Sequence, residues 1–212
     1  PIIGDSLRRI LLKYGYSVET HYFVNDAGRQ CATLVWGAKN FGREEDGKPD
    51  HVYVKYYQMA NDIIEKDKEK IKEIDELMRK IESGDKETLE FSRTVVSKVL
   101  GGILETLEKM DIRFDRIVYE TEFIVNGMVQ DVIENLKPYL QEENNALYFP
   151  LNNEKIYLRR SDGTSLYFTR DIAYHLYKRK LGDIIINVLG EDHKSHADSL
   201  LKVLKKIDES IN

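Results

Sequence analysis

Apolar residues recur at helical spacing from the start of the chain. Ile3, Leu7, Ile10, Leu11 and Tyr14 fall on one face, and Gly15 stands where a helix ends. The period then shortens to two. Tyr16, Val18, Thr20, Tyr22 and Val24 alternate with polar neighbours and predict a strand. Asn25 and Asp26 make a polar turn, and the apolar run 31–36 predicts a short helix. Helix, strand, turn and helix in that order predict an α/β fold with a parallel sheet. A polar loop is expected over 40–50. From about Val52 to Lys109 the pattern is helical. Ile71, Ile74, Leu77, Met78 and Ile81 form one stripe, and Val96, Val99, Leu100, Ile103 and Leu107 another. Ser83, Gly84 and Asp85 separate them, which predicts two long amphipathic helices in an antiparallel hairpin. Charges of alternating sign crowd 65–76. They read as a solvated helix face with i,i+4 pairs, the alternative being a partner-binding face.

The α/β character returns after Asp111. A short strand is expected over 116–119, a helix over 128–136 ended by Pro138, and short strands over 146–149 and 156–158. Asp162 and Gly163 signal a hairpin turn between strands at 156–160 and 165–168. A helix is expected over 169–180. The run 183–189 is continuously apolar after its aspartate, as in a strand buried inside a parallel sheet. It ends at Gly190. Ala197, Leu200, Leu201, Leu204 and Ile207 mark a last helix. No internal repeat or low-complexity tract is present.

Composition narrows the class. The 212 residues are 42% apolar and 33% charged, with a net charge of −5, which suits a globular domain and excludes a disordered chain. No apolar run approaches the ~18–20 residues of a membrane span, so no membrane partner is expected. The single cysteine, Cys31, excludes an internal disulfide and any multi-cysteine metal site. No charged n-region or cleavage site follows Pro1, so a cytoplasmic location is expected. Mild acidity argues against a module that wraps nucleic acid by itself, though not against an enzyme that touches RNA.

Candidate chemistry lies at the ends of the predicted strands, where α/β sheets bind ligands. Gly190, Glu191, Asp192, His193 and His196 cluster after the run 183–189. They read as a ligand site, as a metal site built on the two histidines, or as ordinary capping and surface polarity. Tyr167 and Asp171 stand four apart. A phenol and a carboxylate on one helix face suit a flat cation: the carboxylate accepts a bidentate guanidinium and the ring stacks. A structural tyrosine and a helix-start aspartate are the plainer reading. Glu120 and Glu122 follow the strand at 116–119 and offer acid–base work, cation binding or exposed charge. The stretch 24–30 reads as a site or as a simple turn into a helix. No Walker loop, GxGxxG or nucleophile elbow occurs.

Three stretches, 2–30, 160–175 and 188–196, together resemble the catalytic domain of arginyl-tRNA synthetase, a class I aminoacyl-tRNA synthetase, in its archaeal form. They occur in the family's order and spacing across essentially the whole chain. The resemblance implies a Rossmann-type parallel sheet interrupted by a mainly helical insertion. Its first part would be 1–50, the helical hairpin 51–110, and the continuation with the arginine pocket 111–212. It implies ATP-dependent activation of arginine and transfer to tRNA, with ATP and Mg2+ as the substrate complex and no tightly bound cofactor. It places Tyr167, Asp171, Glu120 and His193 at arginine, the last by position only, since the family usually has glutamine there. Gly190, Asp192 and His196 fall on the ATP side. Asp171, with Glu120 opposite, would offset the guanidinium charge, and loss of such a partner in a closed site costs about 2–5 kcal/mol.

The chain also departs from that family. The His-x-Gly-His element, whose histidines and helix amides hold ATP phosphates, is absent from the 212 residues, and so is the lysine-bearing second signature loop. The expectation is a core segment that supplies much of the arginine pocket, is not catalytic alone, has no catalytic residue assigned, and meets tRNA through domains outside this segment. An open sheet edge would favour a homo-oligomer or a complementing chain. Two rivals are a free-standing non-catalytic paralogue that binds arginine or a partner protein, and a metal-dependent hydrolase using Glu191, Asp192, His193 and His196.

Overall fold

In the computed structural model, which describes residues 1–212 apart from Glu44, Glu45, Asn153, Ser210 and Asn212, the first apolar stripe forms helix α1 (Ile2–Lys13). Asp5 in its first turn and Lys13 in its last oppose the helix dipole. Asp5 pairs with Arg8 at 3.0 Å and Arg9 at 2.6 Å, and Arg9 reaches the Asp111 carboxylate at 2.9 Å. None of the α1 residues is buried, and Ile3, Ile10 and Tyr14 from the predicted stripe are exposed.

Strands β1 (His21–Val24) and β2 (Arg116–Tyr119) pair in parallel, His21 opposite Arg116 and Val24 opposite Tyr119. The strand expected over 16–24 is thus shorter than its sequence pattern. The Asp115 carboxylate takes the Thr20 backbone N–H at 2.7 Å, and the Thr20 carbonyl accepts from both Asp115 and Arg116 at 3.0 Å, which ends the ladder there.

Four helices cover this pair: α2 (Gly28–Phe41), α3 (Pro49–Lys66), α4 (Lys70–Glu82) and α5 (Lys86–Glu108). The loop expected over 40–50 is shortened by α2 and α3, and its Glu44 and Glu45 lie outside the described residues. The predicted hairpin is α4 and α5, turned by Gly84 at φ +79° and capped by Asp85, whose carboxylate accepts the Thr88 N–H at 3.0 Å. A third helix, α3, was not separated by the sequence pattern. It stops where the Asp67 carboxylate takes the Glu69 N–H at 3.0 Å. Nor does the hairpin stand apart. Val24, Val35, Val52, Tyr56, Val96 and Leu100 share one core, and Ala32, Trp36, Ala60, Ile74 and Met78 a second. Helix α2 contributes to both, and Trp36 donates to the Glu73 carboxylate at 2.8 Å. The alternating charges form exposed pairs, Lys72–Glu69 at 2.7 Å and Lys80–Glu76 at 3.0 Å among them. Cys31 is buried within 3.8 Å of the Ser92 hydroxyl, and burial pushes its thiol up to about 12, so it stays protonated and unreactive.

Contacts divide the chain into two units, Pro1–Thr121 and Glu122–Asn212. The division falls within the short helix α6 (Glu120–Val125). In the second unit α7 (Met128–Leu136) stops ahead of Pro138 as predicted. Strands β3 (Gln141–Glu143), β4 (Ala146–Leu151) and β5 (Glu154–Arg159) form an antiparallel sheet in that order. Asn144 and Asn145 turn β3 into β4 with φ of 50° and 65°. The strand β3 was not foreseen, because its residues are all polar. Helices α8 (Tyr167–Arg179) and α9 (Lys194–Ile207) complete the unit. Val132, Leu136, Leu158, Ile172 and Val203 are fully buried, each worth about 1.5–3 kcal/mol of burial.

Two expected strands do not form. At 165–168 only a single bridge joins Ser165 to Arg159. The turn itself is present, with Gly163 at φ +88° and Asp162 accepting from the Thr164 N–H and hydroxyl at 3.0 and 2.7 Å. The chain then enters α8 two residues earlier than predicted, because Thr169 and Arg170 direct their N–H groups to the Leu166 carbonyl. The run 183–189 is likewise not a buried strand. Ile184 is 72% and Ile186 51% exposed, and among the described residues no strand pairs with it. A lone strand leaves its backbone polar groups to water, so apolar composition alone does not make one. The parallel pair, interrupted by the helices of 49–108, is the α/β class expected from the sequence. Among the described residues, no helix is long and apolar enough to cross a membrane.

Candidate functional site

In the second unit, the turn after β5 delivers Tyr167 into the first turn of α8. Asp171, His175 and Lys178 follow at helical spacing on the same face. The 3-10 turn at Glu191–His193 leads into α9, which places His196 in its first turn. The Asp171 carboxylate lies between two imidazoles. His196 Nε2 is 2.7 Å from Oδ2, and His175 Nδ1 is 3.1 Å from Oδ1 and 2.8 Å from the Asp171 carbonyl. Burial by itself would push the Asp171 carboxyl up. The hydrogen bonds and charges of His175 and His196 outweigh it and hold the carboxyl well below its usual range. An ionised carboxylate only accepts, so both imidazole nitrogens facing it carry hydrogen.

Lys178 Nζ stands 3.2 Å from the second nitrogen of His175 while donating to Asn187 Oδ1 at 2.6 Å. Burial lowers the Lys178 amine to about 8, and its Nζ lies 4.2 Å from the Tyr174 ring centroid. The Tyr167 and Phe168 rings flank His196 at centroid distances of 5.2 and 5.1 Å. Asp171, Tyr167 and His196, singled out in the sequence for separate reasons, therefore come together. His193 stands beside them, 6.4 Å from the His196 ring, with Nε2 3.6 Å from Asp192 Oδ2. Gly190 approaches Asp192 so closely that a Cβ would meet its carboxylate. His196 is engaged with Asp171, and among the described residues no group of three or more His, Cys, Asp or Glu is arranged to hold a metal ion.

In the first unit, the ends of β1 and β2 bring Asp26 and Thr121 together. The Asp26 carboxylate accepts the Thr121 backbone N–H at 2.8 Å and its hydroxyl through the other oxygen. Burial raises the Asp26 carboxyl, against the bonds from Thr121. Arg93 of α5 lies over the Tyr119 ring at 4.5 Å, donates to the Thr121 hydroxyl at 3.3 Å and comes within 3.9 Å of Asp26. Asp26 thus clamps the start of α6 and fixes Glu120, which is 1% exposed. A cavity of about 470 Å³ opens beside β1, lined by Tyr22, Val24, Asn25, Gln30, Leu34 and Tyr57. Glu120 does not line it.

Sequence reasoning did not single out His175, Lys178 or Arg93. His175 and Lys178 carry a legible signal, since they stand four and seven residues after Asp171. Arg93 carries none, because its place depends on how α5 packs.

Residues 1–210 match the sequence model of the class I tRNA synthetase (R) catalytic domain. Curated relatives include the arginine–tRNA ligases of Methanothermobacter thermautotrophicus, 47% identical over 208 residues, and Methanosphaera stadtmanae, 43% identical over 206. In each case 94% of this chain is covered, but only 37% of the relative. This chain therefore spans little more than a third of their length. Among solved structures, the Plasmodium falciparum arginyl-tRNA synthetase superposes with a TM-score of 0.76 at 19% identity, over 97% of this chain and 36% of that one. The Thermus thermophilus enzyme superposes at 0.60 with 25% identity, over 82% and 31%. The fold is that of the class I synthetases. With its motifs in order and the family model matched almost end to end, the chain belongs to the class I tRNA synthetase (R) catalytic-domain family.

Proposed function

We propose that this segment is part of an arginine–tRNA ligase, which activates arginine with ATP and transfers it to tRNA, and that it supplies much of the arginine pocket. The observation that carries this reading is Asp171: buried, its carboxyl held well below the usual range, and one helical turn after Tyr167 on the same face of α8. A guanidinium satisfies such a carboxylate through two parallel N–H bonds and lays its flat face on the phenol, which an ammonium cannot do. Glu120 and His193 are the further arginine contacts. Gly190, Asp192 and His196 belong to the ATP side, with Mg2+ entering as part of the nucleotide substrate and no resident cofactor. The tRNA engages through domains outside this segment, and the cytoplasm is the compartment proposed.

The His-x-Gly-His donors that stabilise phosphate charge are absent from this sequence, and each such donor commonly contributes about 3–4 kcal/mol. Arginine-dependent ATP–pyrophosphate exchange, measured with tRNA present, is therefore expected to be at background for the 212-residue chain, while calorimetric titration detects arginine. Robust exchange would sink the inactivity claim, and absence of arginine binding both by this chain and by its His196→Ala variant would sink the pocket. The non-catalytic paralogue shares the same residues and predicts the same calorimetry. The coverage of the ligase relatives favours the first reading.

The exposed apolar run 183–189 supports a further partner, a second copy or a complementing chain. Sedimentation velocity is expected to show association rising with concentration. A single monomeric species throughout would remove the second copy.

A further inference from the structure

His196 and a guanidinium have the same recognition chemistry. Each is flat, offers N–H donors at its edge, and stacks on an aromatic face. In the structure the His196 ring donates to Asp171 Oδ2 at 2.7 Å and lies against the Tyr167 ring at 5.2 Å, with an interplanar angle of 39°. Those are the two contacts proposed above for the arginine side chain. We infer that His196 is a built-in placeholder, occupying the guanidinium position on Asp171 and Tyr167 until arginine displaces it, while His175 is the positioning residue that keeps the carboxylate in place throughout. The inference rests on the arginine reading of Asp171 and adds the competitor within the site.

The two imidazoles differ in how they are held. His175 shares a helix with Asp171, and its Nδ1–H is divided between the Asp171 carbonyl and carboxylate. Its far nitrogen is anchored by Lys178, itself bound to Asn187. Moving His175 would break that whole chain. His196 comes from another element, α9, and meets Asp171 through one nitrogen. Exchanging its single bond for a bidentate, charge-assisted pair favours the guanidinium. The freed imidazole then becomes available on the nucleotide side.

Calorimetric titration of the 212-residue chain with arginine, and with uncharged citrulline as control, tests this. His196→Ala is expected to bind arginine about threefold to tenfold more tightly, since the competing hydrogen bond is gone. His196→Gln, which restores a donor at similar reach, returns toward the parent affinity. His175→Ala is expected to weaken binding about tenfold, and His175→Asn, which replaces the Nδ1–H donor, to recover part of the loss. Adding arginine shifts the 15N resonances of the His196 ring and leaves those of His175 in place. Circular dichroism establishes that each variant is folded, and the resonance test uses the unaltered chain. Weaker or unchanged binding by folded His196→Ala overturns the placeholder, as does a His196 ring unmoved by bound arginine. Absence of arginine binding by both the parent and His196→Ala overturns the arginine reading itself. Binding by the variant alone supports the placeholder.

Discussion

Asp171→Asn is expected to lower the affinity for arginine by about two to three orders of magnitude. The substitution keeps the shape of the side chain and removes its charge, so what remains is a buried amide facing a cation. Truncating one partner of a closed charge pair costs about 2–5 kcal/mol. The variant also turns one acceptor into a donor, set against the N–H of His175 or His196. A stability loss of about 1–3 kcal/mol follows from that mismatch, measurable as a lower urea midpoint at pH 7. The pH dependence has a definite sign. The folded-state carboxyl is held below its ordinary range, so its stabilisation is fully present above about pH 4 and is lost as the pH falls below that. Between pH 5 and 3 the parent's urea midpoint should therefore fall more than the variant's. A folded variant with unchanged arginine affinity would refute the assignment of Asp171.

The largest effect on stability is expected where helices touch backbone to backbone. A Cβ at Gly37 of α2 would lie 2.9 Å from the Tyr56 carbonyl carbon of α3, and closer still to its oxygen. Backbone cannot swing aside as a side chain does, so Gly37→Ala forces α2 and α3 apart and opens both cores. Overpacking of this kind costs about 1–3 kcal/mol, occasionally more. Gly102 of α5 is similar, with a Cβ 2.7 Å from Asp50 Cγ and 2.8 Å from the Asp50 nitrogen. Its neighbour Gly101 meets nothing within 4 Å. Gly101→Ala should thus gain about 0.5–1 kcal/mol from helix propensity, and Gly102→Ala should lose stability. Thermal melts of the three variants decide it. Equal melting temperatures for the two adjacent substitutions would show that the close approach to α3 is not a constraint.

Much of this architecture is written in the order of residues. Periodicity along the chain locates α1, α4, α5, α7 and α9, because an amphipathic helix states its period directly in its side chains. Asp162 and Gly163 announce their turn, because glycine tolerates φ of +88° there. The spacing of Tyr167 and Asp171 already places a ring and a carboxylate on one helix face. Other features depend on partners distant in sequence. The run 183–189 has the composition of a buried strand and remains exposed, since a strand exists only where another pairs with it. The ladder of β1 starts at His21, because Asp115, far along the chain, takes the Thr20 amide. The union of the hairpin with α2 rests on the cores that α2 shares with α4 and α5, and on the bond from Trp36 to Glu73. The sequence by itself determined the period of the helices, the turn residues and the chemistry of the individual site residues, all of which are local. Only the tertiary structure decided which strands exist, that Asp26 clamps the start of α6, and that His196 lies on Asp171. Those depend on contacts across the folded chain, and no local pattern encodes the distance between their partners.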